Sequence, residues 1–194
     1  MAAEPALAAL PARAASGRPR VALVGNPNTG KTSLFNRLCG VRAKTANFPG
    51  TTTDVRFGRS QLGVEADPYA IELIDLPGLY RLGLDLPESR MVDDLLAGRV
   101  PYQRPDAVLV VVDATNLVRN LYLVGEVLRA GLPTVVALNM IDLAQQRGLT
   151  IDARRLSDLL GCPVVPVVAR RGVGVDPLRA FLRRVVGEAL PPHP

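Results

Sequence analysis

A glycine-rich break follows the first strongly apolar run of the chain and precedes a helical pattern. Gly25, Gly30, Lys31 and Thr32 in this break fit the spacing G-x-x-x-x-G-K-[ST]. Glycines at this spacing let backbone N–H groups converge on phosphate oxygens at a helix N-terminus. The sequence therefore predicts a loop that binds the phosphates of a nucleotide. We expect the contacts to come from Gly25, Asn26, Pro27, Asn28, Thr29, Gly30, Lys31, Thr32 and Ser33.

Lys31 is one of only two lysines among the 23 basic residues of the chain. A lysine places a compact, mobile charge on the β and γ phosphates, whereas the rigid fork of arginine fits poorly in so tight a loop. The hydroxyl of Thr32 is a suitable oxygen ligand for Mg²⁺. This chemistry predicts a catalytic role for Lys31 and a metal-binding role for Thr32.

A second polar pair follows a buried run near residue 139. Asn139 ends this run, and Asp142 comes three residues later. An aspartate there accepts hydrogen bonds from guanine N1–H and its exocyclic amine, donors that adenine lacks. Losing hydrogen bonds to a charged group costs about 1.5 to 3 kcal/mol each, which favours GTP over ATP. Asn and Asp after a strand also commonly cap helices, so the pair alone leaves that alternative open.

A third polar site comes at the end of the apolar run IELID. Asp75 ends this run and Gly78 follows within D-L-P-G. Nucleotides bind at the carboxyl edge of parallel sheets. We expect Asp75 to hold Mg²⁺ through water and the amide of Gly78 to sense the γ-phosphate.

Short Val, Ile and Leu runs alternate with helical patterns along the chain. Strands are predicted at residues 20–25, 70–75, 107–112, 134–139 and 163–168. Helices are predicted at residues 119–130, 152–160 and 176–190. Such alternation predicts an α/β fold with a mainly parallel sheet and helices on both faces. Residues 51–62, where Val55 and Phe57 alternate with polar residues, predict one antiparallel edge strand.

The composition predicts a single cytoplasmic domain. The chain has 194 residues, is 48% hydrophobic and carries a formal charge of +5. Two cysteines without metal-ligand spacing indicate reduced thiols, and no apolar run approaches the ~18 residues of a membrane span. We expect a flexible extension at residues 1–19, one domain at 20–190 and a disordered tail at 191–194.

The motifs GNPNTGKTSLFN, NFPGTTTD, DLPGLY, NMID and ARRGVGV resemble, in order and spacing, a translation-factor-type GTPase domain. N-M-x-D, N-[FW]-P-G-x-T and VVDATNLVRNLYL at 111–123 are similar in particular to the cytoplasmic G domain of the ferrous iron transport protein B family. The resemblance covers about residues 20–186. It implies a three-layer P-loop NTPase fold of the Ras-like G domain type.

The resemblance also implies a function, a location and partners. It implies a switch that binds GTP and GDP and hydrolyses GTP slowly, regulating ferrous iron transport across the inner membrane. The expected location is the cytoplasm at the inner face of the cell membrane. The expected partner is a membrane iron-transport domain in the same or a separate chain. The helical spacer and membrane region of that family do not follow Leu190 in this sequence, so a cut-out domain and a free-standing relative both stay open.

Further site residues come from the resemblance alone. Thr52 resembles the switch I threonine that closes on Mg²⁺, within a switch at 41–53, although Thr51 and Thr53 leave a shift of one residue open. Residues 78–105 resemble switch II and its helix. Ala169 would donate its N–H to the guanine O6. The other implied base-site residues are Met140 and Arg170.

Asn28 resembles the residue that ligates an activating K⁺ in cation-dependent GTPases, although an asparagine that only shapes the turn is the alternative. The residue after Gly78 is Leu79, which cannot orient water as a glutamine does, so we expect slow intrinsic hydrolysis. The catalytic set implied is Asn28, Lys31, Thr52 and Gly78, and the metal set is Thr32, Thr52 and Asp75. Val168 stands where the family has a serine, which predicts a weaker base loop and faster nucleotide release.

Two other classes of function stay open at this point. An RNA-associated assembly GTPase would use arginines to follow phosphates, although solvated helix faces explain them more simply and nucleic acid is not the expected partner. Those arginines are Arg154, Arg155, Arg170, Arg171, Arg183 and Arg184. A P-loop kinase of small metabolites is disfavoured by Asn139 and Asp142, which indicate a guanine site.

Overall fold

The structure is a computed structural model that describes residues 17–40, 43–47, 54–63, 67–99 and 103–189. These residues form one seven-stranded sheet in the order β2-β3-β4-β1-β5-β6-β7. The strands are β1 (Arg20–Gly25), β2 (Ala43–Asn47), β3 (Asp54–Gln61), β4 (Ala70–Asp75), β5 (Ala107–Asp113), β6 (Thr134–Asn139) and β7 (Val164–Pro166). The helices are α1 (Lys31–Cys39), α2 (Pro87–Ala97), α3 (Leu117–Arg129), α4 (Ile141–Gln146), α5 (Ala153–Leu160) and α6 (Val175–Ala189).

The central strands are apolar on both sides because helices cover both faces of the sheet. Every residue of β1 and β6 is buried, as are all but the last of β5. The strand β1 pairs in parallel with β4 and β5, and β6 pairs in parallel with β5 and β7. Near-continuous burial of this kind is typical of parallel strands in α/β proteins. The predicted α/β class with a mainly parallel sheet is confirmed.

The antiparallel strand is present, but its predicted place at the edge of the sheet is corrected. The strand β3 pairs antiparallel with β4 on one side and with β2 on the other. The sequence of β2, A-K-T-A-N, has no apolar alternation and so gave no strand signal. Val55 and Phe57 are buried in the core that also contains residues of α2 and α3, whereas Gly58, on the opposite face of β3, packs against α1. The strand β2 therefore forms this edge of the sheet, and β3 lies one strand inward.

Helices pack on both faces and create two cores. Leu34 and Phe35 of α1 and Leu178 of α6 belong to one core. Leu95 of α2 and Leu123 of α3 belong to the other, against which partly buried residues of α5 also pack. The arrangement has three layers, as the predicted architecture requires.

The predicted helices at 119–130, 152–160 and 176–190 correspond to α3, α5 and α6, with ends that differ by at most two residues. Asp152 caps α5 by accepting a hydrogen bond from Arg155 N at 2.9 Å. The last predicted strand is shorter than expected, since β7 ends at Pro166, which has no N–H for a ladder. Beyond it, Val168 turns back to form an isolated antiparallel bridge with Val173.

Several predictions concern residues that the structure does not describe. Residues 1–16 of the expected extension and the tail at 191–194 lie outside the described residues. Within the described part of the chain, every helix is too short or too polar to cross a membrane.

Candidate nucleotide-binding site

The carboxyl ends of β1, β4 and β6 bring the three predicted polar sites to one edge of the sheet. In the parallel registers, Leu23 of β1 pairs with Asp75, and Asp113 at the end of β5 pairs with Asn139. Gly25 lies beside Val111 of β5 in the same register. The phosphate loop, Asp75 and Asn139 therefore start from neighbouring strand ends.

The loop between β1 and α1 has the backbone that its glycines permit. Gly30 precedes the first residue of α1 and has a left-handed φ of 82°. A Cβ on Gly30 would lie 2.3 Å from Asn139 Nδ2, and one on Gly25 would lie 2.7 Å from the carbonyl oxygen of Val111. Both contacts are shorter than real Cβ contacts. Glycine is thus required at both positions for the loop to pack against β5 and β6.

Other loop residues divide into exposed and buried positions. Asn28 is exposed and has a left-handed φ of 66°. Thr29 is buried, and its hydroxyl donates to the carbonyl oxygen of Asn26 at 2.9 Å. The side chain of Asn26 is also buried and has no hydrogen-bond partner among the described residues. Thr32 is exposed and Ser33 partly buried on the first turn of α1.

Asn139 links the phosphate loop to the loop after β7. Its Nδ2 donates to the carbonyl oxygen of Thr29 at 2.8 Å, and its Oδ1 accepts from Ala169 N at 2.9 Å. The side chain is buried, so both hydrogen bonds are shielded from water. In this conformation the amide of Ala169, which the resemblance assigns to the guanine O6, is held by Asn139. The Asn139 side chain therefore has a structural role in this conformation, because its hydrogen bonds join the two loops.

A pocket of about 280 Å³ opens beside Asn139. Its lining includes Asp142 and Met140 from the start of α4 and Gly30 and Ser33 from the start of α1. The remaining lining comes from Leu143 and from residues 168–171. Met140 has a left-handed φ of 61°, and its methyl group lies close to Gly30. The predicted base-site residues Met140, Asp142, Ala169 and Arg170 thus share one pocket.

Lys31 and Asp75 form an ion pair between Nζ and Oδ1. Their side chains are only 11% and 5% exposed, so the pair is largely withdrawn from water. Removing one partner of such a pair leaves an uncompensated buried charge, which costs about 3 to 5 kcal/mol. The group predicted for phosphate and the group predicted for Mg²⁺ therefore neutralise each other in this structure.

Gly78 packs directly against the phosphate loop. A Cβ on Gly78 would lie 3.2 Å from both Cα and N of Pro27. The next residue, Leu79, donates its N–H to the carbonyl oxygen of Gly25 at 3.2 Å and is buried. A buried leucine contributes no polar group to position water, in agreement with the expectation from the sequence.

The segment after Leu79 is held by acidic and hydroxyl groups of α2 and α3 that sequence reasoning missed. Glu126 of α3 accepts from Leu82 N at 2.6 Å and pairs with Arg81 at 3.2 Å. Asp93 of α2 accepts from Gly83 N at 2.8 Å. Burial raises the pKa of Asp93, and the Gly83 hydrogen bond opposes that rise. We call Glu126 and Asp93, with the backbone that they hold, the α2–α3 latch.

A further missed residue lies on α1. The guanidinium of Arg37 donates to the carbonyl oxygens of Ala169 and Arg170, at 3.2 and 2.6 Å. These residues are more than 130 positions away in sequence, and a contact with backbone carbonyls leaves no motif in the partner segment. No sequence signal could have indicated it.

The switch I prediction lies outside the described residues. Thr52, its neighbours Thr51 and Thr53, and residues 48–50 are not described, so the assignment of Thr52 stays a prediction. The backbone of residues 43–47, within the predicted switch, forms β2.

Sequence comparison finds one family over most of the chain. A sequence model of the family described as ferrous iron transport protein B matches residues 19–182. The Fe(2+) transport protein A/Fe(2+) transporter FeoB fusion protein of Porphyromonas gingivalis is 46% identical over 159 residues, which is 82% of this chain and 18% of that protein. The Fe(2+) transporter FeoB of Salmonella typhimurium is 39% identical over 164 residues, which is 84% of this chain and 21% of that protein. The chain thus spans about a fifth of the length of these relatives.

Structure comparison agrees with the sequence. A variant of S. thermophilus NFeoB bound to GDP has a TM-score of 0.76 and 40% identity, over 85% of this chain and 61% of that one. The G domain of the T. maritima FeoB iron transporter has a TM-score of 0.74 and 35% identity, over 89% of this chain and 98% of that one. The predicted Ras-like G domain architecture is therefore confirmed.

Proposed function

This chain belongs to the ferrous iron transport protein B family, as its motifs indicated, and from that premise we propose that it is a GTPase switch. It binds GTP at the carboxyl edge of the sheet and hydrolyses it slowly to GDP and phosphate. The observation that carries this proposal is the meeting of the phosphate loop, the Lys31–Asp75 pair and the Asp142 pocket at that edge.

Each residue has a proposed task. The amides from Gly25 to Ser33 surround the phosphates, and Lys31 leaves Asp75 to contact the β and γ phosphates. Asp142 accepts hydrogen bonds from the guanine ring, while Asn139 keeps the two loops together. The guanine O6 competes with Asn139 for the amide of Ala169. Gly78, packed on Pro27, senses the γ-phosphate, and its displacement affects the segment held by the α2–α3 latch.

The residues present suit Mg²⁺. Carboxylate and hydroxyl oxygens are the ligands that this ion prefers, and Asp75 and Thr32 supply one of each at adjoining elements. Thr52 is the proposed third ligand. When bound, Mg²⁺ neutralises charge on the phosphate oxygens. The chain's own contribution is to release Asp75 from Lys31 and to hold the carboxylate at the strand end.

Asn28 is the proposed ligand of an activating K⁺. Leu79 offers no polar group to orient water, so positive charge beside the bridging phosphate oxygen has to come from elsewhere. The exposed side chain of Asn28 is available for such a cation, since it projects from the loop that surrounds the phosphates.

The proposed output is regulation of ferrous iron transport. The relatives from P. gingivalis and S. typhimurium are described as Fe(2+) transporters. The proposed partner is a membrane iron-transport domain, and the proposed place is the cytoplasmic face of the membrane. One arginine of the RNA-associated alternative, Arg183, is engaged within the chain, because it pairs with Asp67 and lies over the Tyr69 ring.

The proposal is tested by nucleotide titration of wild type, Asp142→Asn and Asp158→Asn. We expect wild type to bind GTP and GDP far more tightly than ATP. Asp142→Asn removes a charged acceptor worth about 1.5 to 3 kcal/mol per hydrogen bond, so GTP affinity should fall roughly 10- to 150-fold. Asp158→Asn makes the same charge change on an exposed face of α5 and should bind as wild type does. Equal affinities of wild type for ATP and GTP would contradict the proposal.

A further inference from the structure

The loop of residues 168–174, called the base loop here, closes on itself through backbone hydrogen bonds. Val168 N donates to the carbonyl oxygen of Val173, and Gly172 N donates to that of Val168, both at 2.9 Å. Gly174 adopts a left-handed φ of 77°, and a Cβ there would lie 2.2 Å from the carbonyl oxygen of Pro166. The loop is therefore compact, and contacts from other elements hold it in place.

Within the described part of the chain, two side chains hydrogen-bond to the base loop from other elements, one on each side of the Ala169 peptide. Asn139 accepts from Ala169 N on the inner side. On the outer side, Arg37 donates from Nε to the Ala169 carbonyl oxygen and from Nη2 to that of Arg170. A Cβ on Gly172 would lie 3.8 Å from Arg37 Cζ, so the guanidinium also packs against the turn of the loop.

Arg37 connects the base loop to the phosphate loop through a rigid element. It lies on α1, which begins at Lys31 directly after the phosphate loop. The backbone of Arg37 is supported in turn by α6, since its carbonyl oxygen accepts from Arg179 Nη2 at 3.2 Å. One helix thus fixes both ends of the nucleotide site relative to each other.

The base loop needs this support because it carries valine where the family resemblance expects serine. Val168 is buried and apolar, so it provides no side-chain hydrogen bond to the loop. The guanidinium of Arg37 supplies two charge-assisted hydrogen bonds from a neighbouring element instead.

We propose that Arg37 is a positioning residue that slows guanine nucleotide release by holding the base loop closed. This inference rests on the proposed function, because it assigns the base to the pocket beside residues 168–171. Opening of the base loop breaks the Arg37 contacts and frees the base. Since GDP and GTP share the base, Arg37 slows the release of both by a similar factor. It does not touch the phosphates and leaves the hydrolysis step unchanged.

The test is stopped-flow dissociation of mant-GDP and mant-GTP from wild type, Arg37→Ala, Arg37→Lys and Arg104→Ala. Arg104 is the matched control, because its Nη2 also donates to a backbone carbonyl oxygen, that of Ala130, at 2.7 Å on another part of the molecule. We expect Arg37→Ala to release both nucleotides about tenfold faster, equivalent to about 1.4 kcal/mol. Arg37→Lys, which can still donate to one carbonyl, should fall between it and wild type.

Two further measurements distinguish a positioning role of Arg37 from a general destabilisation of the fold. Single-turnover hydrolysis of GTP already bound should proceed at the wild-type rate in Arg37→Ala. Amide exchange of the base loop, measured without nucleotide, should accelerate in Arg37→Ala and stay unchanged in Arg104→Ala.

The possible results distinguish a failure of the Arg37 inference from a failure of the proposed function. Release from Arg37→Ala within twofold of wild type, or equal acceleration in Arg104→Ala, overturns the role of Arg37 and leaves the proposed function standing. A wild-type chain that binds no mant-GDP overturns both.

Discussion

The side chain of Asn28 is exposed, and its backbone has a left-handed conformation. A variant that tests the side chain must therefore leave the backbone conformation unchanged. Alanine at a φ of 66° would be strained, whereas glycine adopts this conformation freely. Asn28→Gly therefore removes the side chain and keeps the loop. The proposed K⁺ site predicts that wild type hydrolyses GTP faster in K⁺ than in Na⁺ and that Asn28→Gly loses this difference.

The measurement is phosphate release at saturating GTP in matched K⁺ and Na⁺ buffers. Asn36→Ala, an exposed asparagine on α1 that accepts from Arg56, is the control and should keep the cation preference. A cation preference that persists in Asn28→Gly would show that another group binds the ion.

At the residue scale, the sequence predicts those residues of the candidate site whose chemistry requires a fixed local spacing. Gly25, Gly30 and Lys31 were predictable because one short loop requires their types at fixed intervals. The pairing of Lys31 with Asp75 was not, since both were assigned to the nucleotide rather than to each other. Arg37 and Glu126 were also missed. Both hydrogen-bond to backbone atoms of distant segments, which any residue type provides.

The elements were predictable where burial leaves a strong pattern. Strands covered on both faces, such as β1 and β6, are almost wholly apolar, and their predicted ends agree with the structure. The strand β2 was missed because backbone pairing with β3 holds it and its sequence has no apolar alternation. Burial patterns therefore predict the centre of this sheet better than its edge.

The contacts of the α2–α3 latch predict which segment loosens when Glu126 is lost. Glu126 holds Leu82 N, and its loss leaves that amide without its acceptor and Arg81 without its partner. Glu126→Ala should therefore free residues 80–84 while α2 and α3 stay folded, because Leu95 and Leu123 remain in the core. Amide hydrogen exchange should show faster exchange at 80–84 and unchanged exchange in α3.

Asp158→Ala, which removes a carboxylate from the exposed face of α5, is the control for the latch. It should leave exchange at 80–84 as in wild type. Protection of 80–84 that is equal in Glu126→Ala and wild type would mean that the remaining contacts of Asp93 and Ser89 hold the segment without Glu126.

At the scale of the whole molecule, the two cores share one sheet, and the proposed nucleotide site joins loops that extend from it. The phosphate loop leads into α1, whose Leu34 lies in one core, whereas Asp142 follows β6, whose Leu138 lies in the other. A ligand bound across these loops contacts segments anchored in both cores. Binding should therefore stabilise the domain as one unit.

Mass action gives the size of this effect. A ligand that binds only the folded chain at 100 times its dissociation constant adds about 2.7 kcal/mol to the free energy of unfolding. For a chain of this size, that corresponds to a rise in the unfolding midpoint of roughly 5 to 11 °C.

We expect calorimetry to show such a rise with GDP and Mg²⁺, in a single transition. ATP at the same concentration should have little effect, and Asp142→Asn should need much more GDP for the same rise. A midpoint that GDP and ATP raise equally would mean that stabilisation comes from the phosphates alone, and the base pocket beside Asp142 would then have no part in recognition.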